Sequence, residues 1–275
     1  MVEFKDRDKA GDFESLKTRQ RYLVTQANDL AKAFGNLTTF QHKILDYCFS
    51  FVSEKDSKDK VYSDSLSNLI RHLGLEDSGA NYKRVAKDIR TLYNKTLIDL
   101  VSKDGNEITL TTLFSYVTIS KNGKKGWGFR FKFSELLAPL VFQLEKNYYS
   151  FSLSELATFR SKYALILVKL WNANLHGMWG KHNELPVKIK GSLDEWELWL
   201  LGTDESGKIK HWTPGRLKQN ALKPGLEKLE ERYGDQIEFT LYTNKAKSAN
   251  GSKKTTGFEL VITPKTIKND LDELN

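Results

Sequence analysis

The chain has 275 residues, 39% of them hydrophobic and 12% aromatic, enough to pack one large core or two ordinary ones, which excludes wholesale disorder. No apolar run approaches the roughly 20 residues that span a bilayer, and the charged opening MVEFKDRDKAGDFE is unlike a signal peptide, so a cytoplasmic protein with no membrane partner is expected. Forty-three Lys and Arg against 35 Asp and Glu leave a net charge of +8, which suits a polyanionic partner without identifying one.

In chain order, residues 1–20 read as a flexible end. TFQHKILDYCFSFV (39–52) sets Ile44, Leu45, Cys48, Phe51 and Val52 at helical spacing, so it is an amphipathic helix with Cys48 as a buried core thiol. SDSLSNLIRHLG carries Leu66, Leu69, Ile70 and Leu73 on one face of a short helix that Gly74 stops. NYKRVAKDIRTLYNKTLIDL (81–100) predicts a third helix, with Val85, Ile89, Leu92 and Thr96 inward and Lys83, Lys87, Arg90 and Asn94 about 160° away. EITLTTLFSYVTI (107–119) and WGFRFKF (127–133) read as strands around a turn at Asn122-Gly123, tipped by Lys124 and Lys125.

The second half repeats this order. SKYALILVKLWNAN (161–174) is an apolar helix suited to the centre of a domain. SLDEWELWLLG (192–202) opens on a Ser192/Glu195 capping box, turns Leu193, Trp196 and Leu200 inward and stops at Gly202. Thr213-Pro214 is an N-cap followed by N1 for a further helix, with Leu217, Ala221, Leu226 and Leu229 inward, Arg216, Asn220 and Lys223 outward, and a bend or break at Pro224. IEFTLYT and GFELVIT follow as a second hairpin, with its Asn250-Gly251 turn 128 residues after the first. The same offset separates LGLEDSG (73–79) from LGTDESG (201–207). Helix, short helix, tight turn, basic helix and basic-tipped hairpin, written twice, is the layout of two tandem winged-helix domains in an α+β fold; an ordinary repeat of other function is the alternative.

The charge follows that layout. Segments 83–95, 121–132, 208–223 and 245–254 hold nineteen of the 43 basic residues and a single acid, Asp88, so the rest of the chain is net acidic. Clustered cations release counterions from a nucleic-acid backbone, and Arg, Asn and Gln match base edges. Arg216, Gln219 and Asn220, with Lys210 and Lys223 beside them, are the candidate base readers. Arg84, Lys87 and Arg90 suit phosphate or guanine, and Asn81 and Lys83 are further candidate DNA contacts on the same helix. Lys124, Lys125, Lys253 and Lys254 suit phosphate contacts from the hairpin tips. Ser161 and Lys162, opening a helix, are either a phosphate anchor or an N-cap. Trp212 reads as a core or staple residue.

Catalytic and cofactor chemistry is not expected. GSKKTTG (251–257) lacks the lysine placement of a nucleotide-binding loop. The five histidines form no His-x-His pair, and His176 and His182 have no cysteines or carboxylates at ligand spacing, so no metal is expected. Tyr148 and Tyr149 have no evident activating group.

LATFRSKYALILVKLWNAN (156–174) resembles the Leu-x-Ser-Lys-Tyr-Ala helix of the Rep initiators of theta-replicating, iteron-carrying bacterial plasmids, with Val168 where tyrosine is usual. RLKQNALKPGLEKLEERYGDQIEF is similar to a second family segment, from which Gly225 and Leu229-Glu230 depart. NLTTFQHKILDYCFSFV and NYKRVAKDI match the first domain in pattern, and the resemblance extends over roughly residues 21 to 263. It implies winged-helix domains at 21–146 and 147–265 with a tail at 266–275. The second would make the main base-specific contacts with double-stranded origin repeats, and the first would add DNA contacts and dimerise. It also implies recruitment of a host helicase or initiator and repression of the protein's own promoter. The alternatives are a transcription regulator with no replication role, a tyrosine-dependent DNA-nicking enzyme and a module that binds no DNA.

Overall fold

The computed structural model describes residues 23–265 except 54, 103, 105, 122–125, 143, 145–147, 176–185, 205 and 248–252. The expected flexible ends, the turns at Asn122-Gly123 and Asn250-Gly251, Lys124, Lys125, His176, His182 and the expected domain joint at 147 lie outside the described residues.

Strand β1 (Leu23–Ala27) pairs antiparallel with β7 (Tyr148–Ser152), joining the start of the described chain to its middle. Between them come α1 (Leu30–Ala33), α2 (Thr39–Phe49), β2 (Tyr62–Ser65), α3 (Leu66–His72) and α4 (Gly79–Lys95). They are followed by β3 (Leu97–Val101), β4 (Ile108–Thr112), β5 (Phe114–Lys121), β6 (Trp127–Phe133), a 3-10 turn and α5 (Ala138–Val141). After β7 the chain forms α6 (Leu153–Thr158), α7 (Lys162–Asn174), β8 (Val187–Ser192), α8 (Leu193–Leu201) and α9 (Pro214–Leu217). A π-turn over Lys218–Leu222 leads into α10 (Lys223–Tyr233), and β9 (Ile237–Lys247) and β10 (Lys253–Pro264) complete it.

Two three-stranded antiparallel sheets, β2-β6-β5 and β8-β10-β9, have the same order: the strand before a short helix pairs with the last strand of the following hairpin. The strand-to-helix corner is also built alike. Ser65 ends β2 and caps α3, its Oγ accepting from the Asn68 amide. Ser192 ends β8 and caps α8, and Glu195 returns to the Ser192 amide to complete the capping box. Both short helices then stop at a positive-φ glycine, Gly74 at 69° and Gly202 at 70°.

Helix α7 is the centre, packed against α1, α2, β7, β8, α8 and α10, with every residue from Ala164 to Leu170 buried. Lys169 is among them. Its Nζ lies 2.6 Å from Asp46 Oδ1 on α2, and Gln26 Nε2 on β1 donates to the same oxygen at 3.2 Å. Removing one partner of a pair this deeply buried costs about 3–5 kcal/mol, because the other charge is left in a low-dielectric core.

Two sequence expectations change. The predicted helix 81–100 ends at Lys95, because Leu97–Val101 leaves it to pair with Ile108–Thr112 as a separate two-stranded ribbon. The predicted strand 107–119 is therefore two strands, parted at the buried Leu113, whose amide donates to Thr96 O. The helix expected to bend or break at Pro224 is divided just before it, by the π-turn that ends at Leu222. The missing N–H and the ring's clash with the preceding turn are absorbed by the π-turn just before it, closed by the Lys223 amide on Lys218 O. One residue on, a Cβ at Gly225 would stand 2.8 Å from Leu167 Cδ1 and 3.1 Å from Tyr163 Cβ, so glycine lets α10 lie directly on α7.

Candidate nucleic-acid interface

Helix α4 begins at Ser78, whose Oγ accepts from the Asn81 amide, and buries Val85, Ile89 and Leu92. Its phase turns Lys83, Arg84, Lys87 and Arg90 to solvent. Asn81 is half-buried and its Nδ2 donates to Glu76 O at 2.9 Å, so this side chain braces the turn before the helix. The Arg84 guanidinium lies 4.4 Å from the Phe40 ring centroid, a stacking that holds a long side chain in one place. Asp88, the lone acid of the basic segments, accepts from Gln41 Nε2, and Gln41 itself completes the capping box that opens α2. That carboxylate ties α4 to α2.

The second basic helix starts with Thr213 Oγ1 accepting from the Arg216 amide and Pro214 at N1. Arg216, Gln219, Asn220 and Lys223 are all exposed, with both amide side chains carried on the π-turn. Arg216 stacks 4.3 Å from the Trp212 ring centroid. Trp212 is half-buried, and its amide donates to Glu197 Oε1 at 2.8 Å, while Glu197 Oε2 lies 2.7 Å from His211 Nδ1. Glu197 is 1% exposed. A buried carboxylate on α8 thus fixes the residues leading into the basic helix, and through Trp212 it orients Arg216. Sequence reading missed both Glu197 and Phe40; the legible signal was an acid at an inward position of the apolar run WELWLL. Asp194, Glu197 and His211 bring ligand-type atoms within 4.8 Å of one another, but Glu197 is already engaged by Trp212 and His211.

At the second hairpin, Lys253 and Lys254 are exposed at the start of β10, opposite Lys247 and Ala246 of β9. Lys218 Nζ reaches Thr243 Oγ1 at 3.3 Å, drawing the basic helix onto that hairpin. Ser161 acts as an N-cap, its Oγ accepting from the Ala164 amide. Lys162 turns partly inward, donating to Gly35 O at 2.7 Å, and burial together with the nearby charges of Lys210 and Lys95 lowers its pKa to about 8. Lys210 is exposed, two residues before Trp212.

The model of the initiator replication protein family, WH1, matches residues 23–172, more than half of the chain. This chain belongs to that family. The initiator has a mixed helix-and-strand fold with a winged-helix WH1 domain. Its fold is similar to that of the Pi initiator protein solved in complex with iteron DNA, with a TM-score of 0.65 and 14% identity over 89% of this chain and 98% of that one. Domains 2 and 3 of RctB are matched at 12% identity over 87% of this chain and 85% of that one, with a TM-score of 0.39, too distant to carry an argument. The comparison with curated proteins finds no match. Among the described residues no helix of the initiator is long and apolar enough to cross a membrane.

Proposed function

We propose that this initiator binds directly repeated double-stranded sites, iterons, at a plasmid origin, starts theta replication there without itself breaking or forming covalent bonds, and represses its own promoter as a dimer. The observation that carries this reading is the pair of exposed basic helices. In a member of a replication-initiator family, each presents an arginine stacked on an aromatic ring. The similar Pi initiator, solved with iteron DNA, supports the choice of ligand.

On this reading the chain is two tandem winged-helix domains, 21–146 and 147–265, that enter successive major grooves about 34 Å apart. Arg216, Gln219 and Asn220 read bases, with Lys210 and Lys223 on nearby phosphates. Lys83, Arg84, Lys87 and Arg90 hold the other groove, Asn81 shapes its turn, and Ser161, Lys162, Lys124, Lys125, Lys253 and Lys254 contact backbone. The β3–β4 ribbon, which exposes Leu97, Ile108 and Leu110, is the dimerisation surface. Host helicase or initiator proteins are the further partners.

The test is a footprint on the DNA adjoining the chain's own gene, followed by replication of a linked origin with and without the protein. Repeated protection of two grooves per site, and an origin that fires only with the protein, are expected. Protection without dependence of firing would reduce the protein to a transcription regulator. A covalent adduct lost on Tyr148→Phe would make it a nicking enzyme.

A further inference from the structure

A third concentration of positive charge lies between the two basic helices. Thr39, beside the Phe40 that stacks on Arg84, donates through Oγ1 to Arg160 O at 3.4 Å. Arg160 is exposed and immediately precedes the Ser161 cap of α7. Lys162 Nζ lies 5.2 Å from the Tyr163 ring centroid, and Tyr163 in turn feels the charge of Arg216. The start of α7 thus connects the stacked arginine of one helix to the stacked arginine of the other.

Further lysines converge there. Lys95, the last residue of α4, donates to Asn36 O at 3.3 Å, next to the Gly35 carbonyl that Lys162 holds. Lys210 approaches from the loop before α9, its amide on Gly202 O. Lys43 donates to Ala157 O at 2.5 Å and is close enough to Arg160 to feel its repulsion. Among the described residues none of these five cations has an ion-pair partner. The backbone beneath them is rigid: a Cβ at Gly35 would stand 2.5 Å from Leu198 O, and one at Gly202 2.3 Å from the Asn36 amide nitrogen.

Like charges gathered on a stiff platform repel unless an anion joins them, and a duplex spanning two neighbouring major grooves must run its sugar-phosphate backbone past the point between them. We propose that Arg160, Lys162 and Lys210, backed by Lys95 and Lys43, clamp a DNA backbone phosphate midway between the two grooves and so set the spacing at which both helices engage. This rests on the duplex-binding reading above and adds to it a fixed register between the halves.

The experiment uses the full chain and its footprinted duplex, with single phosphates replaced by uncharged methylphosphonates. One central replacement is expected to weaken binding about tenfold. Arg160→Gln and Lys210→Gln, both at exposed positions, should weaken the native duplex severalfold yet add little once that phosphate is neutral. Arg216→Ala should still multiply with the replacement in full. Lys162→Met serves as a further variant, with thermal unfolding confirming that it folds. Effects that multiply independently at every position, or a duplex indifferent to its central phosphates, overturn the clamp and leave duplex binding intact. A chain that binds no repeated duplex overturns both. If millimolar inorganic phosphate raises the melting temperature of the wild type but not of Arg160→Gln, while no central replacement matters, the site takes free anions and the proposal also falls.

Discussion

The two exposed basic helices solve the same packing problem with different chemistry. Helix α4 is one regular run of 17 residues, its outer face nearly all Lys and Arg and its single acid committed to α2. The second is assembled from α9, a π-turn and α10, and its outer face mixes one arginine, two amides and lysines. Cations alone follow phosphates, whereas arginine with Gln and Asn can match base edges. On the proposed reading, the first half grips and the second reads. The paired Leu-Gly turns differ in a parallel way. Gly74 closes α3 with open space around it, whereas Gly202 closes α8 against the backbone of Asn36.

The glycine contrast gives the largest expected effect. Gly202→Ala should cost about 3 kcal/mol or more, since it adds a steric clash to a backbone conformation held at φ 70° and ψ −157°. Gly74→Ala should cost only about 1 kcal/mol. Chemical denaturation of the two variants measures the gap, and equal losses would erase the distinction between the turns.

Acid should separate the halves next. His72, buried beside Tyr47, is lowered to about 4 by desolvation and then by the charge of Lys43, against 6.5 in the unfolded chain. Below pH 6.5 the unfolded chain therefore takes up a proton that the folded one refuses. Stability falls as pH drops from 6.5 to about 4, by up to about 3 kcal/mol, and this contribution is flat below that. His42, also buried and also lowered, acts in the same direction. In the second half the described histidine, His211, is exposed. Fluorescence of Trp196 and Trp199 should report a later acid transition than a probe in the first half, and His72→Gln should shrink the difference.

On DNA, Arg216→Ala should cost about 1–3 kcal/mol and relax preference at one base position. Arg84→Ala should cost less and weaken all sequences alike. A binding-site selection on both variants distinguishes these outcomes, and an unchanged preference with Arg216→Ala would remove that helix from reading. Smallest of all, Lys253→Ala should weaken every duplex equally and lower the salt slope by about one, measured by titration at several ionic strengths.

Much of this architecture was legible beforehand. The caps at Ser192 and Thr213, the stopping glycines and the buried stripe Val85–Ile89–Leu92 stand where spacing put them, because caps and helical phase are local properties. The end of α4 was not legible. Leu97, Ile98 and Leu100 continue a helical apolar period, and only pairing with residues 108–112 draws them into a strand. Leu97, Ile108 and Leu110 then remain exposed, a pattern that reads as core in one dimension and as surface in three. The stacking of Phe40 on Arg84 and the reach of Glu197 to Trp212 join residues 44 and 15 positions apart, beyond any local period.

By itself, then, the order of residues determined where most helices begin, where the cations concentrate along the chain and which helix carries arginine, glutamine and asparagine together, since each depends on neighbours a few positions away. The tertiary structure alone decided how those pieces meet: a buried Lys169–Asp46 pair between α7 and α2, two glycines that let backbones touch, and five cations that have no ion-pair partner among the described residues, gathered about the start of α7. Such contacts depend on distance through space, and the chain acquires them only when its core closes.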